Sequence, residues 1–123
     1  MTVQIVTFMI PISPPGYVLK ELLLDDGLSP FGDWFSSLDG LAAAKVRVAL
    51  ARIEQGNFSN VQWFRGIGEF RIDWGPGLRI YLARDGVQLI LLLGGGTKKR
   101  QQHDVDLAVD RWEEHKRRKA RTR

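Results

Sequence analysis

The apolar period of this chain changes between Ile53 and Glu69, and that change most restricts the fold. Before it, Phe31, Trp34, Phe35 and Leu38 recur at the spacing of one helical face, as do Val46, Ala49, Leu50 and Ile53. After it, Phe70, Ile72 and Trp74 alternate with Glu69, Arg71 and Asp73, the pattern of a half-buried strand. Leu78, Ile80 and Leu82 repeat the alternation against Arg79, Tyr81 and Ala83. The run Val87 to Leu93 is almost wholly apolar, as in a strand covered on both faces or set in the middle of the sheet.

Turn signals divide these runs. Ser29-Pro30 suits an N-cap and first helical residue, and Gly40 reads as the stop of that helix. A second helix begins near Leu41 and ends at Gly56-Asn57. Gly75-Pro76-Gly77 and Arg84-Asp85-Gly86 are short links, so the three strands form an antiparallel meander, which Gly94-Gly95-Gly96 ends. Tyr17–Leu24 reads as a first strand, stopped by Asp25-Asp26-Gly27. A last helix runs from about Gln101 to Lys119, with Val105, Ala108, Val109 and Trp112 as its apolar stripe. Trp34 and Trp74 also fit core stripes, whereas Trp63 fits either a core or a contact surface. The expected fold is α+β: a mostly antiparallel four-stranded sheet with a helical hairpin packed on one face, joined there by the C-terminal helix.

At 123 residues the chain has room for one domain, and 44% hydrophobic against 26% charged residues argues for a packed core. Residues 1–16 read as an extension, and 17–123 as a single domain with a basic tail. The N-terminus lacks a basic leader and is broken by Pro11, Pro14 and Pro15, so a signal peptide is not expected. No run approaches the roughly 20 apolar residues of a membrane span. There are no cysteines and only two histidines, which excludes thiolate chemistry and argues against a metal site. The lack of cysteine suits a reducing cytoplasm.

Charge is divided unevenly. The first 60 residues carry a net −2 and the remainder +6, for a total of +4. A basic half favours a polyanionic partner, nucleic acid first, over a merely solvated surface only by a narrow margin. If the apolar positions of the strands face the helices, Arg71, Arg79 and Tyr81 share the other side, and Lys98, Lys99 and Arg100 follow the last strand. Five cations and a phenol could then line one concave surface suited to phosphodiesters, the phenol stacking on a base. The alternative is an ordinary polar face whose arginines pair with Glu69 and Asp73. Triple glycine before Thr97-Lys98 does not match a phosphate-loop motif. His103 could exchange a proton near neutrality, and Asp104 could do so or simply complement the helix dipole. His115, among Glu113, Glu114, Lys116 and Arg117, reads as solvated surface.

The segments Ser29-Pro30-Phe31, Gly56-Asn57-Phe58, Glu69 to Tyr81 (EFRIDWGPGLRIY) and Leu91 to Val105 (LLLGGGTKKRQQHDV) resemble the RelE/ParE toxin superfamily. Within it they are most similar to the small HigB-like addiction module killer proteins, over residues 17 to about 115. The resemblance implies the toxin of a type II toxin–antitoxin system: a ribosome-dependent mRNA endonuclease, cutting by attack of the RNA's own 2′-hydroxyl. It implies a cognate helix-turn-helix antitoxin, the ribosome and mRNA as partners, and no membrane, metal or small-molecule cofactor. Arg79 matches a phosphate-clamping arginine and Lys98 the basic residue after the glycines. Arg71, Lys99, Arg100 and Gln101 would hold RNA. RelE itself has a tyrosine early in the last element, where this chain has Asp104. The proton-transfer roles therefore stay open among Asp104, His103, Tyr81 and Lys98. A ParE-like inhibitor of DNA gyrase, or a degenerate toxin acting only as a binding module, are the alternatives.

Overall fold

A computed structural model describes residues 16–122. The expected extension at 1–16 therefore lies outside the described residues, apart from Gly16. The elements are β1 (Val18–Glu21), α1 (Pro30–Ser36), α2 (Gly40–Glu54), β2 (Val61–Phe64), β3 (Ile67–Ile72), β4 (Leu78–Arg84), β5 (Leu89–Thr97) and α3 (Gln101–Arg121). The five strands form one sheet in the order β1-β5-β4-β3-β2. The α+β class holds, but the sheet is not four-stranded. β2 is the added strand, antiparallel to β3. The sequence shows no hairpin signal there because the turn is the dipeptide Arg65-Gly66. Both residues have positive φ, +53° and +84°, as a two-residue hairpin turn demands, and arginine seldom supplies this. β1 pairs parallel with β5, Val18 opposite Leu89, so the sheet is mixed.

Ser29 caps α1 by accepting from the Gly32 amide, as the sequence indicates. Gly40 does not stop α1. It is the first residue of α2, whose N-cap is Asp39, accepting from the Ala42 amide at 2.8 Å. Asp39→Ala is expected to lower stability by about 1 kcal/mol, read as a shift in the urea midpoint at constant slope.

The sheet is covered on both faces, not one. The α1–α2 hairpin packs on the first face, where Phe31, Val46 and Ile53 meet Phe70, Ile80 and Leu92. On the second, α3 lays Val105, Ala108 and Trp112 against Ile67, Tyr81, Ala83, Leu91 and Leu93. The alternation of β3 and β4 had correctly sorted the first set, but the second face also carries apolar residues, and α3's stripe takes them. Val87 lies outside β5 and is 90% exposed.

The three glycines do not end the sheet: they lie inside β5. Between Tyr81–Gly94 and Leu82–Leu92 the pairing skips one residue, a bulge whose Leu93 carbonyl accepts from Arg111 at 3.1 Å. Beyond it, a side chain at Gly95 would overlap the Trp34 ring, and one at Gly96 the Asp104 carboxylate. Glycine here lets α1 and α3 approach the strand from opposite sides.

His115 is not merely solvated. It stacks on Trp112 at 5.7 Å and sits 3.0 Å from Asp85 of the β4–β5 turn. Lys119 approaches the same carboxylate at 2.6 Å. Burial alone would raise the Asp85 pKa, but the hydrogen bonds with Lys119 and His115 outweigh it and hold it below the usual value of 3.8. A carboxyl depressed on folding contributes stability above its unfolded pKa and loses it as pH falls through the folded one. The stability gap between wild type and Asp85→Asn should therefore narrow between about pH 5 and pH 2 in urea titrations.

Trp63 is 44% exposed. It packs edge-on against Phe58 at 5.7 Å, with the Arg84 guanidinium 5.8 Å from its ring centre. Among the described residues, no helix is long and apolar enough to cross a membrane.

Candidate nucleic-acid interface

The register of β3 on β4 places Glu69 opposite Tyr81 and Arg71 opposite Arg79. These four side chains share the face that α3 covers. Glu69 is fully buried. Its Oε1 accepts from Arg71 Nε at 2.9 Å and from Gln101 Nε2 at 3.2 Å. Its Oε2 accepts from Gln101 Nε2 at 2.9 Å and lies 3.6 Å from Arg79 Nε. A buried carboxylate needs such partners to stay charged. The pairing of arginines with Glu69 thus exists, and it leaves part of each guanidinium free.

Arg79 is only 7% exposed. Its buried Nε makes no hydrogen bond, standing in ion-pair range of Glu69, while its Nη1 donates to the Gly77 carbonyl at 3.2 Å. The Gly75-Pro76-Gly77 turn presses against it: a Cβ on Gly77 would lie 3.0 Å from Arg79 Nη1 and 3.2 Å from Lys98 Cβ. Gly77 also has φ +77°, which favours glycine. The Lys98 amide donates to the Gly77 carbonyl at 2.8 Å. The turn therefore holds the Arg79 guanidinium through Nη1, and of Lys98 it holds the backbone, leaving its side chain exposed. Arg71, Asp73, Gly77, Arg79 and Lys98 line one cavity of about 300 Å³.

The remaining expected residues are dispersed. Lys98–Arg100 form a 3-10 turn and are exposed. Lys99 lines a neighbouring cavity with Arg65, Lys98, Gln101 and Gln102. Arg100 and His103 line neither, though the charge of each acts on Asp104. Asp104 is half-buried beside Gly96. Burial raises its pKa, against the lowering influence of Arg100, His103 and Arg111. Tyr81 is fully buried under α3, so it cannot stack on a base. Burial first, and the Glu69 carboxylate second, push its phenol well above its ordinary range. Five cations and a phenol do not share one open surface: three cations converge, and the phenol lies beneath.

Two participants were missed. Glu69 had been read only as a possible counter-ion, because alternation cannot tell a rim carboxylate from one sealed under a helix. Arg65 reaches its cavity from the unrecognised hairpin, tied to Asp106 at 2.9 Å.

No protein-family model matches the chain, and no solved structure matches it significantly. Among curated proteins, an uncharacterised protein of Haemophilus influenzae is 40% identical over 80 residues, covering 63% of this chain and 81% of that protein. This chain belongs to the same family as that Haemophilus protein.

Proposed function

We propose that this chain is the toxin of a type II toxin–antitoxin pair, a ribosome-dependent mRNA endonuclease of the RelE and HigB-like kind. One observation carries the reading: Arg71, Arg79 and Lys98 converge on one cavity, and Arg79 is held in advance by Glu69 and the Gly77 turn. Cations around a small cavity suit a phosphodiester, and a charge already in place, as on Arg79, stabilises a phosphorane without reorganisation.

The step needs no cofactor. The RNA's 2′-oxygen bonds to the adjacent phosphorus, and the bond from phosphorus to the 5′-oxygen breaks. This leaves a 2′,3′-cyclic phosphate and a 5′-hydroxyl. Arg79 and Lys98 hold the non-bridging oxygens. The 2′-hydroxyl proton needs an acceptor, and Asp73 is the carboxylate on the cavity wall. In this reading Lys98 returns a proton to the departing oxygen. The protein would act in the cytoplasm and be silenced by a helix-turn-helix antitoxin.

The test is a cell-free translation reaction with purified protein, mapping message 5′ ends with and without engaged ribosomes. Cuts confined to translated message are expected. Intact message would overturn the reading, and a gyrase supercoiling assay would then separate a ParE-like inhibitor from an inactive binding module.

A further inference from the structure

The Arg79 cavity shares its Arg71 side with another. Arg71, Ile72 and Asp73 also line a second cavity of about 260 Å³ on the side of β3 nearest α2. That cavity's far wall is α2, which contributes Lys45, Val48, Ala49 and Arg52, four residues of one helical face. Trp74, half-buried, lies at the same groove.

The connection exists because β2 is short. Its first residue, Val61, is opposite Phe70, and the Arg71 amide reaches the Asn60 carbonyl. From Ile72 on, the outer edge of β3 has no strand beside it. A channel can therefore turn around that edge from one face of the sheet to the other. Among the described residues, Lys45 and Arg52 take part in no ion pair, unlike most cations of α3. Their charge is available to an outside partner.

We propose that this groove is a second RNA site, binding the single-stranded nucleotides that adjoin the phosphate in the Arg79 cavity. Lys45 and Arg52 take phosphates, and Trp74 offers a ring against which a base can rest. Single-stranded RNA is the occupant because the path bends around one strand edge. A stiff A-form duplex cannot follow that bend, whereas an unpaired strand can. The proposal rests on the endonuclease reading only for the identity of the strand.

The test uses the full-length protein and a labelled twelve-nucleotide RNA, 2′-O-methylated so that it cannot be cut, with binding read by fluorescence anisotropy across a salt series. Lys45→Gln/Arg52→Gln is the test variant. Both positions are exposed on α2, and an unchanged thermal melt will verify folding. Its affinity should fall roughly tenfold at low salt, and the slope of log K against log salt should flatten by about 1.4, the loss of two phosphate contacts. Lys45→Arg/Arg52→Lys should restore both. The same sequence as a duplex should bind more weakly and ignore the substitution.

Binding by the test variant equal to wild type, or no single-strand binding by wild type, overturns the groove. So does a duplex that binds better and shares the substitution's effect. The outcome is separable from that of the translation assay. Intact message together with groove-dependent binding defeats the endonuclease and keeps the groove. Normal cutting together with wild-type binding by the variant does the reverse.

Discussion

Arg79→Ala protein should cut translated message 10²–10³-fold more slowly than wild type, roughly the loss expected when one fixed donor to a developing anion is removed. The effect is large because Arg79 is pre-positioned. Its guanidinium is nearly buried, with the Glu69 carboxylate in ion-pair range on one side and a hydrogen bond to the Gly77 carbonyl on the other. A residue so held gives its charge to the transition state without losing conformational freedom at that moment. Lysine at the same place keeps the charge but not the planar fork, so Arg79→Lys should recover part of the rate. Both variants should remain folded, because Glu69 keeps Arg71 and Gln101 as partners. The measurement is the rate at which mapped 5′ ends accumulate, beside a circular-dichroism melt. A folded Arg79→Ala protein that cuts at the wild-type rate would remove Arg79 from the chemistry.

Glu69→Ala should have the largest effect on stability, about 3–5 kcal/mol, because it strands the nearly buried Arg79 without a counter-charge. For a domain of this size that corresponds to a fall in melting temperature of roughly 10–20 °C. The loss should be strongly non-additive. In the double variant Glu69→Ala/Arg79→Ala no stranded charge remains, so it should be no less stable than Glu69→Ala alone. Glu69→Gln retains shape and one acceptor, and should fall in between. A Glu69→Ala melt within a few degrees of wild type would show that the carboxylate does not hold this cluster.

Much of this was legible in the sequence. The helical spacing of Phe31 to Ile53 and the alternation of Phe70 to Leu82 sorted the first core correctly, because both patterns are set by burial on one face. What was missed lies where burial is two-sided or polar. β5 is apolar on both faces, which suits cover on both, but its pattern does not say that α3 is the second cover. The glycines were read as a break, although their lack of side chains lets Trp34 and Asp104 close in from either side. β2 was lost to an arginine at positive φ. For the site, the grouping of Arg71, Arg79 and Lys98 was foreseen from register. The burial of Tyr81 and the role of Glu69 were not, since both depend on where α3 docks.

The parallel pairing of β1 with β5 also governs when the molecule can become itself. A chain made from its N-terminus releases Val18–Glu21 first, yet their partners Leu89–Leu92 emerge only after most of the domain has been synthesised. Such long-range closure is slow compared with local pairing. The β2–β3–β4 meander and the α1–α2 hairpin can form earlier, but the sheet's last edge waits for β5. So does the cavity, whose Lys98 follows β5 directly. A nascent or prematurely ended chain that stops within β5 therefore has neither a finished sheet nor an assembled Arg79 cavity. Completion of the fold and assembly of the pocket are one late event in the life of the chain.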